Sequence, residues 1–159
     1  LALGAGLDYQ ENLVLSGKPD QDNIGWTVDF FFDHPVGKGA VTLESAFIDE
    51  KNATQTLKYS WLISGDDAQI YYIQGGYLLP WKIGPGKIQP YFRYERLAVD
   101  HKPDTAFPCL GLNYLIKGHD AKLTLDWTLI DQKKEVNKPQ GEFSGKDQNL
   151  VTFQAAVGF

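Results

Sequence analysis

Period-two alternation, sustained along nearly the whole chain, constrains the fold more than any other feature. "DAKLTLDWTLI" sets Ala121, Leu123, Leu125, Trp127 and Leu129 against Lys122, Thr124, Asp126 and Thr128. "IGWTVDFFFDH" sets Trp26, Val28, Phe30 and Phe32 against Thr27, Asp29, Phe31 and Asp33. The same rhythm runs through "LALGAGLDYQ", "AVTLESAFI", "QIYYIQGGYLLPW", "IQPYFRYERL", "FPCLGLNYLI" and "NLVTFQAAVGF". Side chains change face at every residue only in a strand, so the chain reads as eight strands without a convincing helix. An aromatic share of 13% together with 16 glycines in 159 residues leans the same way, toward a β-rich chain with many turns.

The connections alternate in kind. "HPVGKG", "KIGPGK" and "KGH" are short and built from Gly, Pro and Lys, as tight hairpin turns are. Between them come "GKPDQDN", the stretch Asp49 to Asp67, "DHKPDT" and "KKEVNKPQGEFSGKDQ", which are longer and polar. The expectation is a meander with tight turns at one end and long loops at the other. Each strand is about nine to twelve residues, roughly what a tilted bilayer crossing needs and longer than the strands of most sandwiches.

The two faces then bear on the environment. Trp26, Trp81, Trp127, Tyr9, Tyr71, Tyr94 and Phe159 fall near strand ends, as interfacial aromatic girdles do. The opposite face mixes Gly, Thr, Gln and Asn with scattered charges. This pattern predicts an all-β fold, a transmembrane antiparallel β-barrel wall with eight up-and-down strands in a single domain, 1-159. A soluble sandwich is the weaker reading. No run approaches the roughly 18 apolar residues of a spanning helix, which leaves a barrel untouched. Net charge −5 and the lack of a basic cluster argue against a nucleic-acid partner. One cysteine, Cys109, excludes an internal disulfide. The chain opens and closes inside alternating segments, so we expect either a removed leader or a piece of something longer.

With these segments laid out, the chain resembles the C-terminal portion of outer-membrane porins, most closely the phosphate-selective porin O/P type. The resemblance is carried by "TVDFFFDHPVGKGAVTLESAF", "YYIQGGYLLPWKIGPGKIQPYFRYERL", "GLNYLIKGHDAKLTLDW" and "VTFQAAVGF". It implies the C-terminal half of a barrel of about sixteen strands, located in the Gram-negative outer membrane. Tight turns would face the periplasm and long loops the exterior. It implies passive diffusion of small hydrophilic solutes or ions through a channel, with outer-membrane lipid, lipopolysaccharide and the barrel-assembly machinery as partners and a homotrimer as a candidate assembly. It also implies that Phe159, with Phe153, Ala155 and Val157, forms the terminal signal read by that machinery. The alternative is an autonomous eight-stranded barrel that serves as an anchor or sheath for a partner protein.

The polar row supplies the candidate pore lining: Asp8, Asp29, Asp33, Glu44, Arg93, Glu95, Lys122 and Asp126. Such groups bias which ions pass a water-filled pore. A plainer expectation is that Arg93, Glu95, Glu44, Lys122 and Asp126 pair across neighbouring strands and brace the wall. Carboxylates are in excess, so the phosphate preference in the family's name is not carried over. No cofactor, metal site or catalytic group is expected. His34, His101 and His119 sit at or beside predicted turns and loops without a nucleophile and acid at recognisable spacing, and Cys109 reads as a small wall residue. "SGDD", Ser64 to Asp67, reads as an exposed acidic loop, with divalent-ion binding as the weaker alternative.

Overall fold

The computed structural model describes residues 1–15, 18–56, 60, 62–117, 121–132 and 147–158. Among them the chain forms nine strands: β1 (Ala2–Leu15), β2 (Lys18–Val36), β3 (Gly39–Lys51), β4 (Ala68–Leu78), β5 (Lys82–Ile83), β6 (Gly86–Val99), β7 (Thr105–Lys117), β8 (Ala121–Gln132) and β9 (Gln148–Val157). Eight are long, and β5 is a two-residue strand folded back on β6. They make one antiparallel sheet in chain order, β1-β2-β3-β4-β6-β7-β8-β9. Among the described residues β1 and β9 make no contact with each other, so the sheet has two open edges.

Pairing holds every strand in the same phase. Leu7 stands opposite Trp26, and Val28 opposite Phe47. Phe47 stands opposite Tyr71, and Ile73 opposite Tyr94. Phe92 faces Leu110, Leu110 faces Trp127, and Trp127 faces Val151. Because directly paired residues share a face, these contacts assemble one apolar surface across all eight long strands. That surface is the exposed one: Leu3 is 77% accessible, Leu110 57% and Phe153 69%. The other face holds the buried groups, among them Asn23, Gln89, Thr124, Asp126 and Thr128. Burial is thus inverted relative to a water-soluble sheet, where apolar side chains go inside.

An aromatic row crosses the apolar surface toward the long-loop end. Trp26 and Phe47 have ring centroids 5.0 Å apart, and Phe47 and Tyr71 4.9 Å. From Trp26 down to Val36 at the tight turn, β2 runs ten residue steps, about 33 Å along the strand. A barrel-like tilt of about 40° would project this to about 25 Å, the height of a barrel's apolar band.

The tight turns are as predicted. Gly37 (φ 62°) opens the Gly37-Lys38 turn, and Gly84 (φ 59°) opens Gly84-Pro85, the place where a two-residue hairpin loop favours glycine. The turn within "KGH" lies outside the described residues, as does most of "KKEVNKPQGEFSGKDQ". One expectation is corrected. Most of "GKPDQDN" is strand rather than loop, because β1 and β2 continue as a hairpin as far as Leu15 and Lys18. The ladder shifts register between Gln10 and Leu13 and again before Leu15. Asn12 (φ 54°) and Asp20 (φ 56°) absorb those bends, which Asn and Asp tolerate better than other side chains. Asp22 ties the irregular part together, accepting from Tyr9 Oη at 3.2 Å and from Asn12 N at 3.1 Å.

The apolar cluster that the chain does bury lies on the polar face, at its long-loop end. Ala53 and Leu62, from the connection between β3 and β4, pack with Ala68, Leu97 and Val99, flanked by Ile70 and Phe107. The β3–β4 connection therefore folds back over the polar face. Asn23, 2% exposed, pins its start by donating its amide to Glu50 Oε1 (3.1 Å), Lys51 O (3.0 Å) and Asn52 O (3.2 Å). Asp67 Oδ1 accepts from Asn52 N at 2.8 Å, and Asp66 pairs with Lys102. The "SGDD" carboxylates thus fasten a loop, rather than forming an exposed acidic patch. Replacing Asn23 with Ala strips three acceptors of a buried donor and should cost about 1–3 kcal/mol. The expected result is faster proteolysis within 52–67 while the sheet's circular-dichroism signal persists.

Candidate functional site

The polar face of β3, β4, β6, β7 and β8 carries a continuous hydrogen-bonded network. Thr124 Oγ1 donates to Asn113 Oδ1 at 2.7 Å, Asn113 Nδ2 to Gln89 Oε1 at 3.2 Å, and Gln89 Nε2 to Thr42 Oγ1 at 3.3 Å. That chain crosses from β8 to β3, passing β4 at Gly76, where a side chain would crowd Gln89. Beside it, Tyr91 Oη donates to Asp126 Oδ2 at 3.0 Å. Tyr91, Gly111 and Asp126 are in register on three successive strands. A Cβ on Gly111 would lie 2.1 Å from Tyr91 Cζ, so the ring rests directly on the glycine. Glycine inside a strand here marks a close approach rather than a weak point.

The predicted site residues divide into three groups, two of lining residues and one of the assembly signal. Glu44, Arg93, Glu95, Lys122 and Asp126 lie on the network's face. Glu44 Oε2 accepts from Tyr72 Oη at 3.2 Å, and Asp126 accepts from Tyr91. Arg93 Nε lies 2.9 Å from Glu95 Oε1, an ion pair whose angle falls outside hydrogen-bond geometry. The expectation of cross-strand ion pairs among these five is corrected: the one ion pair runs along β6, and tyrosines hold the other two carboxylates. Lys122 makes no ion pair among the described residues. Asp8, Asp29 and Asp33 form the second group, on β1 and β2 toward the open edge, where Asp29 stands opposite Gly4 and Asp33 opposite Thr42. The third group is the assembly signal. Phe153, Ala155 and Val157 are on the apolar face of β9, opposite Leu125, Leu123 and Ala121, and Phe159 lies outside the described residues.

Glu44 and Lys122, on strands separated by three others, line one cavity of about 190 Å³ with Thr42, Gln74, Gly76, Gln89, Tyr91 and Asn113. The sheet therefore curls around its polar face. The cavity offers amide and hydroxyl groups of both senses, one carboxylate and one ammonium. Such a surface can replace part of a solute's hydration shell. Cys109 is buried on this face opposite Arg93 and Thr128. His34 stands on the apolar face beside Phe32 and opposite Val41. His101 is in the β6–β7 connection, and His119 is outside the described residues. Among the described residues no three His, Cys, Asp or Glu side chains gather as metal ligands would. Alternation had placed Tyr72, Tyr91, Gln89 and Asn113 in the polar row, but their partners came from register. For Tyr91 the available signal was glycine on both neighbouring strands, Gly76 and Gly111.

The chain is 29% identical over 150 residues to a protein of Aquifex aeolicus (strain VF5) described only as uncharacterized. That match covers 87% of this chain and 33% of the other, so the chain spans about a third of the length of the curated relative it matches. No family model matches the chain, and no solved structure matches it.

Asp126 is 9% exposed, and Tyr91 supplies its hydrogen bond. Tyr91→Phe should therefore cost about 1.5–3 kcal/mol, the worth of a hydrogen bond to a charged group. Gly111→Val should match it by evicting the ring. Unfolding midpoints in denaturant check both; a Tyr91→Phe protein as stable as the parent would show that Asp126 is held by other means.

Proposed function

We propose that this chain forms part of the wall of an outer-membrane β-barrel and lines a channel for passive diffusion of small hydrophilic solutes or ions. The inverted burial carries the reading. One apolar surface extends over eight strands with its large side chains exposed, far beyond the few hundred Å² of contiguous apolar patch that a soluble monomer usually shows. Lipid is the solvent that such a face suits, and the polar, curled face suits water. The porin resemblance of the sequence supports the same reading, and the β3–β4 connection folded over the polar face would narrow the mouth. The proposal includes the partners of that setting: lipid, lipopolysaccharide and the barrel-assembly machinery. The autonomous eight-stranded barrel is the weaker alternative, because β1 and β9 do not meet among the described residues.

Lys122 is the one lining cation without an ion pair among the described residues, and carboxylates outnumber it. Asp8, Asp29, Asp33, Glu44 and Asp126 have no cationic partner within ion-pair distance among the described residues, and tyrosine hydroxyls leave a carboxylate charged. We therefore assign the wall a cation preference.

Two measurements test the proposal. Leu125, half exposed on the apolar face, distinguishes the solvents: Leu125→Arg should cost about 2–4 kcal/mol for folding into a bilayer. In water a change at an exposed site would stay within about 0.5 kcal/mol. Planar-bilayer recordings of the purified full-length protein should show stepwise conductance, with a reversal potential in a salt gradient that favours cations and shifts toward anions in Glu44→Gln. Folded protein that leaves the bilayer silent would reject the channel.

A further inference from the structure

Side chains on this sheet repeatedly reach across a glycine on the adjoining strand to bond the strand beyond it. Tyr91 on β6 crosses Gly111 on β7 to reach Asp126 on β8. Tyr77 on β4 crosses Gly39 on β3, whose Cβ would lie 2.6 Å from Tyr77 Oη, and donates to Val36 O on β2 at 3.2 Å. Tyr114 on β7 crosses Gly86 on β6 and donates to Ile83 O on β5 at 2.7 Å. Each glycine leaves open the space that the crossing side chain fills.

A fourth crossing has no receiver. Asp29 on β2 lies over Gly4 on β1, so closely that a Cβ on Gly4 would be 2.3 Å from Asp29 Oδ1. Beyond Gly4 is the open edge of the sheet. Among the described residues Asp29 makes no hydrogen bond or ion pair, and no neighbour on β2 or β3 turns it back. The geometry points to a partner strand that pairs antiparallel with the open edge of β1 and presents a hydrogen-bond donor, a hydroxyl or a cationic side chain, at the level of Gly4. The occupant is a strand other than these nine. β9 makes no contact with β1 among the described residues, and the relative in Aquifex aeolicus is about three times the length of the matched region. The backbone groups of the β1 edge would supply affinity and Asp29 the register, the division of labour usual when a strand is added to a sheet. This inference holds whether or not the sheet conducts.

The test uses the 159-residue chain folded in detergent micelles and two labelled peptides of about ten residues with β-strand alternation. They differ only at the central polar-face position, tyrosine in one and phenylalanine in the other. The tyrosine peptide should bind about tenfold more tightly, the ratio expected of a hydrogen bond to a carboxylate. The preference should vanish in Asp29→Ala and shrink in Gly4→Ala, whose methyl displaces the carboxylate. Asp29→Asn, of nearly unchanged shape, should keep an acceptor and retain part of the preference, which guards against misfolding of the other two. Equal binding of the two peptides, no binding by either, or a preference that survives Asp29→Ala would overturn the inference. So would a stable dimer of the chain in micelles whose β1 edge is protected, since that would assign the edge to a second copy.

Discussion

Everything in this molecule depends on the eight long strands being paired in one phase. A slip of a single residue in any ladder would turn that strand's leucines and valines to the polar face and its threonines and glutamines to the apolar one. The chain fixes phase at both ends of its hairpins. Gly37-Lys38 and Gly84-Pro85 set the register of β2 with β3 and of β5 with β6. Tyr77 and Tyr114 then lock those turns by donating to Val36 O and Ile83 O. Further up, Asn23 binds the departure of the β3–β4 connection to three acceptors. Side-chain bonds thus sit where backbone pairing alone would leave the register weakest.

The faces, the eight long strands and two of the tight turns were legible in the sequence, because period two and glycine-proline turns are local signals, whereas the two-residue β5 was not read. What stayed hidden is non-local. Pro19, Asp20 and Asp22 look like a loop when read in order, yet their neighbours Lys18, Gln21 and Asn23 pair with β1, and Asp22 bonds Tyr9 and Asn12 across the hairpin. The burial of Ala53 and Leu62 depends on Leu97 and Val99, more than thirty residues away in sequence, sharing a face with Ala68. The candidate lining shows the same division. Its membership in one face followed from alternation. Who bonds whom followed from register, which brought tyrosines rather than arginine or lysine to Glu44 and Asp126.

That substitution of tyrosine for a cation has a physical consequence for the wall. In the proposed channel, an ion pair would cancel the charge that a carboxylate shows to the lumen, whereas a phenol would orient the carboxylate without cancelling it. Glu44 and Asp126 are thus oriented by tyrosines without a cationic partner among the described residues, while Arg93 pairs with Glu95 along its own strand. A fixed, uncancelled charge acts on passing ions at lower cost than a flexible one, because no side chain must be ordered at the moment of passage. The neutral network of Thr124, Asn113, Gln89 and Thr42 gives the same rigidity to groups that can exchange hydrogen bonds with a hydrated solute.

The two open edges and the apolar surface make opposed demands on the surroundings. In water, the unpaired N–H and C=O groups of β1 and β9 would be solvated cheaply, but the exposed apolar surface would drive association. In lipid, that surface would be satisfied, but each unpaired backbone group would cost several kcal/mol. Along the fourteen residues of β1, with about every second residue directing its groups outward, the sum exceeds the 5–15 kcal/mol that holds a typical domain together. Neither solvent suits the open sheet as it stands, and a closed ladder suits lipid. Asp29, laid over Gly4 without a hydrogen bond or ion pair among the described residues, is the side-chain counterpart of that backbone deficit. Both would be relieved by the same proposed event, the addition of a strand at β1.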